Sequence, residues 1–170
     1  MAAMQRILLP VRPSTIVVSF AGALLLEFLP WGDLRLVPDF VAVILAFWCI
    51  RQPRLVGLGV AWALGLLIDA ANGVLLGQHA LAYSITAFLA ITLSRRILWF
   101  GMPQQALHVA ALLVFCEAVA IVIRLAAGAS FPGWAVVVGP LLGALLWPVV
   151  TALLLIPQQR ALEVDETRPI

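Results

Sequence analysis

The sequence GLLIDAANGVLLGQHALAYS, which runs from Gly65 to Ser84, decides the fold. An apolar segment leads into Asp69, a glycine-rich turn follows, and apolar sequence resumes at Ala80. The turn holds no Lys or Arg, whereas the far ends of the two flanking segments carry the pairs Arg51/Arg54 and Arg95/Arg96. Because cytoplasmic loops are enriched in Lys and Arg, this pattern predicts a helical hairpin across a membrane, with its tip outside.

The composition of the whole chain agrees with a membrane protein. Of 170 residues, 64% are hydrophobic and 11% are charged, and the mean hydropathy is +1.13. So few charges cannot cover the surface of a soluble domain. The net charge of +2 comes from arginine alone and forms no basic face for nucleic acid. Backbone polar groups in lipid must be satisfied within each segment, so we expect an all-α, polytopic membrane helix bundle.

Six apolar segments are candidates for crossing the membrane. They lie at about 13–29, 36–50, 55–72, 79–99, 105–126 and 134–156. They predict one six-helix transmembrane domain over residues 1–157 and a short polar cytoplasmic tail over 158–170. The second segment is short and starts at Pro38-Asp39, so a re-entrant segment is the alternative there. The first lacks a small-x-small cleavage site and is expected to be an uncleaved span.

The distribution of arginine predicts the orientation. With six spans and both termini in the cytoplasm, eight of ten arginines lie on the cytoplasmic side. The exceptions are Arg35 and Arg124. If the second segment fails to cross, seven of ten face outward instead. We therefore expect a multi-pass protein of the bacterial cytoplasmic (inner) membrane with both termini inside.

Small residues recur at the spacing that lets membrane helices approach closely. The third segment carries Gly57, Ala61 and Gly65, and the fourth carries Ala82 and Thr86, continued by Ala90. We expect the first ridge to pack against the second. The last segment carries Gly139 and Gly143, with Pro140 and Pro148 predicted to kink it. Two interpretations stay open: packing within the bundle, or a groove for a partner's transmembrane helix.

Polar residues gather at the outer ends of the predicted spans. A charged residue in a span costs roughly 2.5–3.5 kcal/mol at the helix centre, so each needs a reason. The cluster is expected to be a ligand pocket, a docking face for an extracytoplasmic partner, or merely paired polar helix ends. For Asp69 we favour a structural role. The members are Asp39, Asp69, Gln78, His79, Tyr83, Glu117 and Arg124.

No pattern of residues indicates chemistry. His79 and His108 have no second ligand at metal spacing, and no nucleophile motif or phosphate loop occurs. Cys49 and Cys116 lie within apolar segments and are expected to be small buried hydrophobes. We predict no catalytic residues, no metal and no cofactor.

Several motifs in order resemble one protein family. Pro38-Asp39 opens a short span, Arg51-Gln52-Pro53-Arg54 forms a loop, a glycine-rich span from Val56 runs to Asp69, and Gly73–Tyr83 follows. Together they resemble the bacterial rod shape-determining protein MreD family, from about Val37 to Ser94. The last two spans match only in hydrophobicity, so Glu117 and Arg124 do not rest on this resemblance.

The resemblance implies a non-enzymatic inner-membrane scaffold of the cell-elongation machinery, which synthesises peptidoglycan. Its implied partners are an MreC-like single-span protein, membrane lipid, and a complex with MreB, RodA and a penicillin-binding protein. The family's bundle is similar to the substrate-binding components of energy-coupling-factor transporters. That similarity supplies the alternative function, a membrane-embedded vitamin-binding component of a transporter.

Overall fold

The computed structural model describes residues 11–31 and 37–158, and within these ranges the chain is helical with no strand. The predicted tail lies outside the described residues except for Gln158, as do Arg35 and the residues before Val11. The first five helices are α1 (Pro13–Glu27), α2 (Phe40–Arg51), α3 (Leu58–Asn72), α4 (Gln78–Trp99) and α5 (Met102–Ala126). A 3₁₀ turn (Trp134–Val137) then leads into α6 (Val138–Leu145), α7 (Trp147–Leu155) and a final 3₁₀ turn (Ile156–Gln158).

The helices differ in their length relative to a bilayer. Three stretches are long and apolar enough to cross one, namely α4, α5 and the run Trp134–Leu155. Helices α1 and α3 have 15 residues each and α2 has 12. At 1.5 Å per residue they extend roughly 22, 22 and 18 Å, which is less than the ~30 Å hydrocarbon core. The structure confirms an all-helical fold with three candidate membrane spans among the described residues, and six crossings stay a prediction.

Helix α2 is the centre of the bundle. Its sequence is apolar on every side, and from Val41 to Ile50 each side chain is buried except the half-buried Ile44. A helix that is hydrophobic all round has to be enclosed by other elements, and α2 contacts α1, α4, α5, α6 and α7. It begins later than predicted because Asp39 is its N-cap, accepting a hydrogen bond of 2.7 Å from the Ala42 backbone N–H.

Helices α3 and α4 form the predicted hairpin and pack closely along their length. A Cβ atom added at Gly65 would overlap the Ala80 Cα, so the two backbones touch there. Ala61, Ala82 and Thr86 are also buried in the bundle. The closest neighbour of Gly65 is therefore Ala80, at the first turn of α4, and not the ridge that starts at Ala82.

The predicted ridge was wrong at one residue, Gly57. A Cβ added at Gly57 would have no heavy atom within 4 Å. Gly57 is the N-cap of α3, in extended backbone conformation, because the helix starts at Leu58. It therefore lies at the end of the hairpin, where the ridge has not yet begun.

The glycines of the last segment pack inside the bundle. A Cβ at Gly139 would lie 2.8 Å from the Val37 carbonyl oxygen, and one at Gly143 would lie 2.9 Å from Val43 Cγ2. Both contacts are with the chain entering α2 or with α2 itself. The predicted kink is present as a break between α6 and α7 at Leu146, since Pro148 has no N–H to continue the hydrogen-bond ladder.

We expect Gly65→Ala to destabilise the protein, because the new methyl group would overlap the Ala80 backbone. Overpacking of this kind typically costs about 1–3 kcal/mol. Gly59→Ala is the matched control: it lies in the same helix and has no heavy atom within 4 Å of an added Cβ. Thermal unfolding of both purified variants in detergent measures the difference. Equal stability of Gly65→Ala and Gly59→Ala would contradict the close contact.

Candidate functional site

Asp69 joins the two helices of the hairpin at their tip. It lies near the end of α3, and its carboxylate is fully buried. Backbone N–H groups of Gly77, His79 and Ala80 donate to it at 2.8, 2.9 and 3.3 Å. His79 Nδ1 lies 2.7 Å from Asp69 Oδ1. Asp69 therefore caps the first turn of α4, where unpaired N–H groups and the positive end of the helix dipole favour an anion.

A second set of hydrogen bonds ties the start of α2 to its neighbours. The Tyr83 hydroxyl donates to Asp39 Oδ2 at 2.6 Å, which links α2 to the second turn of α4. The Phe40 backbone N–H donates to Glu27 Oε2 at 3.1 Å, which links α2 to the last residue of α1. Carboxylates at helix ends thus satisfy backbone donors that lipid could not satisfy.

These carboxylates surround a polar cavity of about 180 Å³. The ends of α1, α2, α3, α4 and α6 contribute to its wall, together with Glu117 from the interior of α5. Helix α5 continues nine residues beyond Glu117, or roughly 13 Å, so the cavity is recessed from the end of α5. Within the described residues, no group of His, Cys, Asp and Glu has the arrangement of a metal site. The polar lining residues are Glu27, Asp39, Asn72, His79 and Glu117.

The predicted site residues divide into three groups. Asp39, His79 and Glu117 line the polar cavity. Tyr83 is buried and bonded to Asp39, while Asp69 and Gln78 are buried in the hairpin. Arg124 is exposed at the end of α5 and lines a different cavity of about 340 Å³, so the structure does not bring it into the polar cavity.

Two further polar residues that the sequence places at the outer ends of spans, Glu27 and Asn72, also line the polar cavity. Glu27 is the last residue of α1 and Asn72 the last of α3. Their position in the sequence indicates this location, because each ends an apolar span on the side where the other acidic residues lie.

The structure also has an apolar groove on the side of the bundle, beside α1 and away from the small-residue ridges of α3 and α4. The groove encloses about 630 Å³ between α1 and α7, and α2 forms its floor. Its walls include Ser19, Gly22 and Ala23 from α1 and Val150 and Leu153 from α7. A Cβ added at Gly22 would have no heavy atom within 4 Å, so the groove has room beside α1.

Comparison with known proteins decides the family. The family model described as rod shape-determining protein MreD matches residues 5–156. The chain belongs to the MreD family. It is 30% identical over 146 residues to the rod shape-determining protein MreD of Haemophilus influenzae, which covers 82% of this chain and 88% of that protein. No solved structure matches the chain significantly. Membership in the MreD family supports a rod shape-determining role and lends no support to the transporter alternative.

We expect Asp69→Asn to destabilise the protein. An amide offers one acceptor oxygen and places an NH₂ group against backbone donors, and leaving buried donors unpaired costs about 1–3 kcal/mol. Glu117→Gln is the control, since it also neutralises a carboxylate on the polar end but removes no hydrogen bond described in the structure. Melting temperatures of the purified variants provide the measurement. A melting temperature for Asp69→Asn as high as that of Glu117→Gln would rule out the capping role.

Proposed function

We propose that this protein is a non-enzymatic scaffold of the cell-elongation machinery in the bacterial inner membrane. In this proposal it binds an MreC-like single-span protein, through helix contacts within the membrane and through its polar end. A larger complex with MreB, RodA and a penicillin-binding protein belongs to the same proposal. Family membership is the observation that carries the shape-determining part.

The proposed topology has six crossings and both termini in the cytoplasm. The separation of charge supports it: Glu27, Asp39, Asp69 and Glu117 all lie at the polar end. Arg51 ends α2, and Arg95 and Arg96 lie in the last turns of α4, at the opposite end of the bundle. The positive-inside rule then assigns the arginine end to the cytoplasm. In this arrangement α1, α2 and α3 are each shorter than the hydrocarbon core, so the residues that flank each helix complete its crossing of the membrane.

Single cysteines test this topology in a variant whose two buried native cysteines are replaced. A cysteine at Gly73, in the exposed turn after α3, should react with an impermeant thiol reagent in intact spheroplasts. A cysteine at Arg54, in the exposed turn after α2, should react only after the membrane is opened. The reverse labelling pattern would overturn the proposed orientation.

The apolar groove supports the proposed helix contact with a partner. The groove is open along one side, between α1 and α7, because α1 packs mainly against α2. Ser19, Gly22 and Ala23 form a wall of small side chains, and membrane helices approach one another most closely at such residues. A single transmembrane helix of an MreC-like protein would complete the enclosure of α2 on this side.

The cavities give little support to vitamin binding. Pockets for small molecules usually enclose about 300–1,000 Å³ and combine apolar walls with a few polar groups. The polar cavity, at about 180 Å³, is smaller than this, and the cavity beside Arg124, at about 340 Å³, is near the lower limit. The groove is large enough, but its wall is almost entirely apolar and offers little to orient a polar ligand. The similarity to energy-coupling-factor components stays a prediction about the fold.

We expect Gly22→Leu to block partner binding by filling the groove. The added side chain meets no atom of its own chain near the Cβ position, so the protein should still accumulate. Gly59→Leu is the matched control, a glycine on the exposed side of α3 with equal space around it. The measurement is recovery of the single-span partner by affinity purification, together with cell shape. Full recovery of the partner with Gly22→Leu would refute the groove as the contact. If cells that lack this protein kept their rod shape, the proposed function itself would be refuted.

A further inference from the structure

Arg51 is a charged residue in an unusual environment. It is the last residue of α2 and is only partly exposed. Its guanidinium carbon lies 5.9 Å from the centre of the Phe47 ring. Its Nε atom is buried and has no hydrogen-bond partner within the described part of the chain. A buried charge is costly unless an opposite charge and hydrogen bonds compensate it, so we expect an anion to bind Arg51.

The described carboxylates are too far away to serve. Asp39 and Tyr83 are hydrogen-bonded where α2 and α4 run side by side. Twelve residues later each helix reaches an arginine, Arg51 in α2 and Arg95 in α4. At 1.5 Å per residue both lie about 18 Å from the Asp39–Tyr83 bond, at a similar depth. The four described acidic residues are at the other end, around the polar cavity.

Other features mark the same end as the membrane surface. Arg54 is exposed in the turn after α2, and Arg95 and Arg96 are exposed on α4. Trp99, one turn further along α4, is 95% exposed, and tryptophan is typical of the interface between lipid tails and headgroups. The end of the bundle therefore presents a half-buried arginine and three exposed arginines at headgroup level.

We propose that this end binds the phosphate of an anionic phospholipid, with Arg51 as the principal ligand and Arg54, Arg95 and Arg96 around it. Guanidinium groups bind phosphate through short, charge-assisted hydrogen bonds, and basic sites between membrane helices hold anionic headgroups in this way. The tail beyond Gln158 is the weaker candidate for the anion. Its three acidic residues are offset by two arginines, which leaves a side-chain charge of −1. The lipid site is independent of the proposed partner and orientation.

The purified protein in mild detergent tests this with phosphatidylglycerol and phosphatidylcholine as probes. We expect phosphatidylglycerol to raise the melting temperature by about 2–4 °C, the shift typical of one added interaction in a chain of this size. Phosphatidylcholine should not. Arg51→Gln should remove the shift and weaken phosphatidylglycerol retention in native mass spectrometry roughly tenfold. Arg124→Gln, a neutralised arginine at the other end, should keep both.

If Arg51→Gln does not accumulate, the double variant Arg95→Gln/Arg96→Gln serves as the test instead. It should accumulate because it changes only exposed side chains. It should weaken phosphatidylglycerol retention relative to Arg124→Gln. An unchanged response in either variant would overturn the proposal, as would equal stabilisation by both lipids. The proposal would also be overturned if a chain truncated after Gln158 were less stable than the full chain and the full chain showed no lipid preference. In that case the tail would supply the anion.

Discussion

The bonding of Asp69 to the first turn of α4 is the constraint on which the polar end of the bundle depends. The first turn of any helix has N–H groups without partners in the helix itself. Asp69 satisfies three of them from the neighbouring helix, and one turn deeper Gly65 lets the two backbones touch. This fixes where α4 starts, which places Tyr83 beside Asp39 and so positions the start of α2. The polar cavity is the space left between these tied ends.

The sequence predicted the features that depend on local spacing. The hairpin, the close packing of Gly65 and the break near Pro148 each follow from a few neighbouring residues. Gly57 was assigned wrongly because the small-residue period continues past the point where the helix starts. The contact of Gly65 with Ala80 also escaped prediction, because the register between α3 and α4 is set by the Asp69 hydrogen bonds and not by the ridges alone.

The candidate site was harder to predict because its parts come from distant segments. The alternation of helices correctly brought Asp39, His79 and Glu117 to one end, but Arg124 was separated from them by its exposed position at the end of α5. The hydrogen bond between Tyr83 and Asp39 joins residues 44 positions apart, and no spacing rule anticipates it. The lateral groove lies where α1 and α7 do not pack closely against each other, and a space between distant segments leaves no periodic pattern in a sequence.

The burial of α2 has a consequence for how the protein is made. Apart from α1, every helix that encloses α2 comes from α4 onward, later in the chain. In the proposed topology α2 is therefore surrounded first by lipid during synthesis, which its surface, apolar except for Arg51, tolerates at little cost. Asp39 cannot reach its Tyr83 partner until α4 has been inserted. With that topology the core assembles late, when helices from the second half of the chain replace the lipid around α2 and complete the fold of the first half.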